Sequence, residues 1–143
     1  MAALERKFTL HVPSSTRNLA MIRDFVTSVG TQAGLGEDDV AHLELAVDEA
    51  CTNVMEHAHR GDATKEVIVR AEFDERTLRI EVFDTGTGFN PATVSQEDVG
   101  QLVHERKSGG LGLRVMRKLM DEVSYEIVPG NKNRLRMVKR LDK

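Results

Sequence analysis

The feature that most restricts this fold is a change of hydrophobic period part-way along the chain. From Thr16 to about Ala33 the apolar residues Leu19, Ile22, Phe25, Val26 and Val29 recur at three- and four-residue intervals, and Leu43, Val47, Ala50 and Val54 repeat that stripe to about His59. From Glu66 to Phe73 and from Leu78 to Phe83 the period falls to two. Each kind of segment has one apolar face, and the two kinds can bury those faces only against each other, in layers. The punctuation agrees with this division. Gly34 predicts the stop of the first helix, and Glu37, Asp38 and Asp39 set carboxylates where the dipole of the second begins. Asp74-Glu75-Arg76-Thr77 joins the two alternating segments as an antiparallel hairpin. Ahead of the helices, Lys7 to Val12 reads as a strand broken by Pro13-Ser14-Ser15.

Beyond Phe83 comes the glycine-rich turn Asp84-Thr85-Gly86-Thr87-Gly88-Phe89-Asn90-Pro91, then a stretch from Ala92 to Ser108 with only scattered apolar positions. Long connections of that kind in compact domains are usually functional loops or linkers, so this one is expected to act as a lid. Gly109-Gly110-Leu111-Gly112 opens an amphipathic helix carrying Leu113, Met116, Leu119 and Met120. A strand from Val123 to Val128, a turn at Pro129-Gly130-Asn131 and a strand from about Leu135 to Lys139 complete the chain. The order β-α-α-β-β-loop-α-β-β predicts an α+β protein, with helices on one face of a mainly antiparallel sheet. A length of 143 residues predicts a single domain spanning 1–143.

Composition removes several classes of function. The charge balance of −3 offers no field to hold a polyanion, and 4% aromatic residues with no tryptophan offer no base-stacking surface, so a nucleic-acid partner is not expected. No apolar run approaches the ~20 residues that span a bilayer. One cysteine, Cys51, cannot close an intramolecular bridge and reads as a small buried hydrophobe. With an amino terminus lacking a secretory pattern, these features predict a cytoplasmic protein. The five histidines are scattered, and His57 and His59 lie on nearly opposite sides of a helix, so no zinc site is expected.

Three groups of residues have chemical potential. Glu49 and Asn53, four apart on the second helix, lie one turn above each other at the margin of the apolar stripe, where polar groups line clefts. Polar flanks are also what any surface helix has. Asp84, with Gly86 and Gly88 behind it, sets a carboxylate at a strand end beside backbone that a ligand can approach closely. The same residues would serve an aspartate-stabilised turn. Gly109, Gly110, Leu111 and Gly112 present free amides at a helix start, an anion site in which side-chain-free residues admit phosphate oxygens. Glycine there would equally permit tight helix–sheet packing. No Walker-type phosphate loop, dinucleotide fingerprint or eukaryotic-kinase motif occurs.

Taken in order, Glu49-Ala50-Cys51-Thr52-Asn53, then Asp84-Thr85-Gly86-Thr87-Gly88, then a lid, then Gly109-Gly110-Leu111-Gly112-Leu113 resemble the N, G1 and G2 boxes of the Bergerat-fold ATPases. Within that superfamily the length is similar to that of the anti-sigma-factor serine kinases. The resemblance, which covers nearly the whole chain, implies a two-layer α/β sandwich with a mainly antiparallel mixed sheet. It implies an ATP- and Mg²⁺-dependent serine-protein kinase that binds a sigma factor and phosphorylates a STAS-type anti-anti-sigma protein, commonly as a homodimer. It also implies roles: Glu49 as general base, Asn53 as Mg²⁺ ligand, Asp84 as acceptor of the adenine amino group with Gly86 and Gly88 leaving room for the base, and Gly109, Gly110, Leu111 and Gly112 at the phosphates. Arg106 and Lys107 of the lid are candidates to reach the terminal phosphate, and His57-Ala58 resembles the His-Gly or His-Ala that often follows the N box. One departure stands out. Many relatives begin the last strand with Gly-Thr, the threonine helping to hold the adenine aspartate, whereas Asn131-Lys132-Asn133-Arg134 contains no threonine. A non-catalytic, nucleotide-dependent binding module of the same fold, or a detached histidine-kinase ATP-binding domain, are the alternatives.

Overall fold

The computed structural model describes residues 5–84, 112–126 and 133–141. Its elements are β1 (Arg6–Pro13), a 3-10 turn (Thr16–Asn18), α1 (Leu19–Ala33), α2 (Glu37–Asn53), a π-helical turn (Val54–Ala58), β2 (Glu66–Phe73), β3 (Thr77–Asp84), α3 (Gly112–Leu119), β4 (Glu122–Glu126) and β5 (Asn133–Arg140). The first helical segment enters through the 3-10 turn because Ser15 caps it, its Oγ accepting from the Arg17 amide at 3.4 Å. Gly34 ends α1 as expected: at φ 96° it takes the left-handed conformation that suits glycine, and its amide donates to the Gly30 and Thr31 carbonyls.

The strands form one sheet in the order β1-β2-β3-β5-β4, and all four pairings are antiparallel. The described sheet is therefore antiparallel throughout, without the parallel pairing that a mixed sheet requires. The β2–β3 hairpin turns where expected, with Asp74 Oδ1 accepting from the amides of Arg76 and Thr77 at 2.7 and 2.9 Å. β4 starts one residue earlier than predicted. The rest of the predicted β4 (127–128) and the turn Pro129-Gly130-Asn131 lie outside the described residues. β5 begins at Asn133, two residues before the expected start.

Register turns the alternating sequence into rows across the sheet. One row runs Phe8, Ala71, Ile80, Met137 and Val123. The next on the same face brings Leu10, Val69, Val82 and Leu135 together. Onto these rows pack Ile22, Val26 and Val29 of α1, Leu43, Ala46, Val47, Ala50 and Cys51 of α2, and Met116 of α3, in one core. Ile80 is fully buried at its centre. Ile80→Ala is expected to destabilise the fold by about 2–5 kcal/mol, from lost transfer energy plus the remaining cavity, seen as a lower urea midpoint at unchanged slope.

The opposite sheet face is charged and paired. Buried Glu81 accepts from Arg136 and pairs with Arg134, each at 3.4 Å, Arg79 pairs with Glu72, and the Arg70 guanidinium stands 5.1 Å from the Phe83 ring centroid. The sandwich thus has one dry interface, and the polar exceptions to it mark where chemistry can sit.

Candidate functional site

Those exceptions lie at one end of the sheet. The row after Leu10–Val69–Val82–Leu135 is Val12, Val67, Asp84 and Asn133: two apolar residues, then two polar ones. Both Asp84 and Asn133 are buried, at 3% and 2% exposure. A buried carboxylate is tolerated only with donors, and Asn133 Nδ2 donates to both Oδ1 and Oδ2 of Asp84 at 3.2 Å. Asn133 lies in the Asn131–Arg134 stretch that contains no threonine, and it is the residue there that donates to Asp84. Its other amide atom, Oδ1, has no hydrogen-bond partner among the described residues.

Helix α2 reaches the same end. Glu49 and Asn53, the last residue of α2, are half-buried beside the stripe of Val47, Ala50 and Cys51, and α2 packs against both α3 and β3. The sequence predicts an ordinary helix to about His59. Instead, five residues after Asn53 form a π turn, closed by the His59 amide donating to the Val54 carbonyl at 2.8 Å. Such a turn adds a residue to the helical repeat and re-aims the side chains beyond it, and π turns are common at functional sites. Arg60 and Gly61 then take left-handed φ of 50° and 77°, reversing the chain toward β2.

His59 anchors this reversal. Its ring is buried, and Nδ1 shares a hydrogen bond of 2.7 Å with Ser14 Oγ, just past the end of β1. Ser14 is itself tied to the loop before β2, donating its amide to the Lys65 carbonyl at 2.8 Å. Burial pushes the His59 pKa below the ordinary 6.5, against the opposing pull of the Asp84 carboxylate. The unfolded chain therefore takes up this proton first, so the stabilisation from His59 is present above pH 6.5 and is lost as pH falls from that value through the lower pKa of the folded state. Asp62 and Asp74, whose carboxylates are lowered by hydrogen bonds from Thr64 and from Arg76 and Thr77, lose their contributions only in the more acidic carboxylate range. Urea unfolding between pH 7.5 and 5.5 should accordingly show wild-type stability falling more steeply than that of His59→Asn; parallel slopes would contradict the assignment.

Of the residues singled out in the sequence, Glu49, Asn53 and Asp84 lie on α2 and β3, and Gly112 opens α3. Gly86, Gly88, Gly109, Gly110 and Leu111 lie outside the described residues, as do the lid from Ala92 to Ser108 with Arg106 and Lys107. His57 and Ala58 belong to the π turn, but their side chains are outside the description. Arg117 and Lys118 are exposed in the last turn of α3. Cys51 is fully buried, and burial drives its thiol far above the ordinary range, which suits a packing role. Asn133 as a partner of Asp84 is the residue that sequence reasoning missed; its spacing of two from Leu135 and four from Met137 was the available signal.

The arrangement has chemical content. A buried carboxylate held by an amide at the sheet end suits a ligand edge rich in N–H donors, and half-buried carboxylate and amide groups on the adjoining helix suit proton transfer and a hard cation. The profile of the histidine kinase-like ATPase domain matches residues 12–139. The chain belongs to that family. Among family members, a Listeria monocytogenes protein named serine-protein kinase RsbW is 34% identical over 127 residues, covering 86% of this chain and 81% of its own. The Bacillus licheniformis and Bacillus subtilis proteins of the same name are 37% and 35% identical over 123 and 122 residues, each match covering 82% of this chain and 76% of the relative. A crystal structure of RsbU and RsbW domains from Mycobacterium tuberculosis superposes with a TM-score of 0.68 at 16% identity, covering 96% of this chain and 33% of that one. The histidine kinase-like ATPase fold is thus reached from sequence and from shape. No described helix is long and apolar enough to cross a membrane.

Proposed function

We propose that this chain is an ATP- and Mg²⁺-dependent serine-protein kinase that phosphorylates a STAS-type anti-anti-sigma protein and, as an anti-sigma factor, sequesters a sigma factor. The observation that carries the reading is Glu49: a carboxylate kept at the end of α2, one turn before Asn53, in a chain 34% identical over 127 residues to a serine-protein kinase. A module that only bound nucleotide would have no need of a base there.

The roles follow from the chemistry of each position. Asp84, oriented by Asn133, accepts the adenine amino group, with Gly86 and Gly88 leaving room for the base. The amides of Gly109, Gly110, Leu111 and Gly112 meet the phosphates. Among the described residues no group of three His, Cys, Asp or Glu side chains is gathered to hold a metal ion, and Asn53 offers a hard amide oxygen. That donor set fits an ion taking most of its ligands from phosphates and water, and Asn53 would hold it from the protein side. Bound Mg²⁺ supplies neutralisation of phosphate charge. Glu49 takes the proton of the attacking serine hydroxyl as its oxygen bonds to the γ-phosphorus; the bond between that phosphorus and the bridging oxygen breaks, and ADP leaves with the electron pair. Arg106, Lys107, Arg114, Arg117 and Lys118 give the phosphate end a positive character that the near-neutral total charge conceals. The protein works in the cytoplasm as a homodimer.

The nature of the phosphorylated residue tests the reading. Incubation with γ-labelled ATP, Mg²⁺ and the STAS protein is expected to give a label on the partner that survives acid and is lost in alkali, as a phosphoserine is. An alkali-stable, acid-labile label on this chain itself would instead indicate a histidine kinase. Light scattering at twice the chain mass checks the dimer.

A further inference from the structure

The chain reversal after α2 is held by a closed circuit of hydrogen bonds. Ser14 donates its amide to the Lys65 carbonyl at 2.8 Å, Lys65 donates to Asp62 at 3.1 Å, and Asp62 donates to His59 at 2.9 Å. The His59 ring completes the circuit through Nδ1, 2.7 Å from Ser14 Oγ. Three links are backbone bonds, and the fourth joins two side chains that are 0% and 2% exposed. Nε2 of the ring has no hydrogen-bond partner among the described residues, so Ser14 carries the ring's hydrogen bonding there. Breaking such a buried pair is costly, because the group left over loses its partner without regaining water. The backbone inside the circuit needs this support. Arg60 stands at φ 50°, a left-handed conformation that a residue with a side chain keeps only where its surroundings enforce it.

The consequence falls on Asn53, the last residue of α2 and the one immediately before the π turn. Its helix is fixed on the other side by Ala50 and Cys51, which are packed in the core. One residue of an α-helix is about 100° of rotation, so a π turn that relaxed to the ordinary repeat would either swing His59 away from Ser14 or twist the end of α2 at Asn53. Ser14 stands just past β1 and is anchored to the sheet, so the clamp resists both changes. We propose that Ser14 and His59 are a positioning pair: by clamping the π turn to the end of β1, they fix the direction in which Asn53 presents its amide oxygen to a phosphate-bound divalent cation. The inference rests on the reading of Asn53 as the protein's ligand to that cation and adds to it two residues that act through the backbone, without touching nucleotide.

Calorimetric titration of the whole chain with ATP, once in Mg²⁺ and once in EDTA, isolates the part of binding that depends on the cation. The wild type is expected to bind more tightly in Mg²⁺, and Asn53→Ala to lose that gain. Ser14→Ala should weaken binding in Mg²⁺ about 3- to 10-fold and leave binding in EDTA within about twofold. His59→Leu should behave as Ser14→Ala does, whereas His59→Asn, whose amide can replace Nδ1 as the partner of Ser14, should stay within about twofold of wild type in both conditions. Coupling between sites is reciprocal, so in the wild type Mg-ATP should slow hydrogen exchange of the His59 amide more than ATP in EDTA does. That measurement decides the matter where thermal unfolding shows that Ser14→Ala and His59→Leu do not fold. Equal losses in Mg²⁺ and EDTA, unchanged affinity, or exchange at His59 that is indifferent to Mg²⁺ would overturn the proposal, with the loss in Asn53→Ala leaving the reading of the site intact. An Asn53→Ala protein that keeps the Mg²⁺ gain, or a wild type that binds no ATP, would overturn that reading and this inference with it.

Discussion

Glu49→Gln should abolish most phosphate transfer while leaving nucleotide binding in place. Glu49 is half-buried at the margin of α2, and the core residues Leu43, Ala46, Val47, Ala50 and Cys51 of the same helix make no use of its charge. The substitution keeps size and polarity and removes only the ability to take a proton. A general base contributes roughly 10²- to 10⁴-fold to a rate, so transfer to the serine is expected to fall by about that factor. Affinity for ATP should stay within about threefold, and stability within about 0.5 kcal/mol, as for surface changes that break no packed contact. A variant with weakened binding and unchanged turnover would place Glu49 in nucleotide recognition instead. Rapid-quench measurement of single-turnover transfer beside a calorimetric Kd separates the two.

The second large effect is expected at Asp84. Asp84 is 3% exposed, on the face that its strand gives to the core at Leu78, Ile80 and Val82. A group so placed serves the fold poorly unless it has a further task, because removing a carboxylate from water is costly. With Asp84 as the proposed acceptor of the adenine amine, Asp84→Ala removes a hydrogen bond to a charged group, which contributes about 1.5–3 kcal/mol, so ATP affinity should fall about 10- to 150-fold. Stability should change far less than affinity, since the burial penalty of the carboxylate disappears together with its hydrogen bonds from Asn133. Equilibrium binding with a fluorescent ATP analogue, set against urea unfolding of the same variant, measures both. Unaltered nucleotide affinity would remove Asp84 from the pocket.

Much of this architecture was legible in the sequence because it is written in hydrophobic period. The stripe through Ile22, Val26 and Val29, the left-handed stop at Gly34 and the alternation of Val67, Val69 and Ala71 each report a local geometry that neighbouring residues do not override. Two features at the site were not legible, for different reasons. Periodicity assumes one repeat throughout a helix, so the π turn at Val54–Ala58 passed as ordinary helix, although it is what ends α2 at Asn53. Alternation counted on apolar residues starts β5 at Leu135, whereas Asn133 is a polar residue at an inward position. That is where a pattern reading is expected to fail, because a site is built by breaking the pattern that makes the core. Glu49, Asn53 and Asp84 stand out in the sequence by the order and spacing of the boxes rather than by any one of them, and their roles are proposals. The partnership of Asp84 with Asn133 needed strand register, which a single sequence does not print.

Transfer of a phosphate from ATP to a serine is the activity that the roles of Glu49, Asn53 and Asp84 all serve in this proposal. The most direct measurement is mass spectrometry of the STAS protein after incubation with the purified chain, ATP and Mg²⁺, run in parallel with Glu49→Gln. The partner should gain one phosphate on a single serine with the wild type and almost none with the variant over the same interval. An unmodified partner, or equal phosphorylation by both proteins, would contradict it.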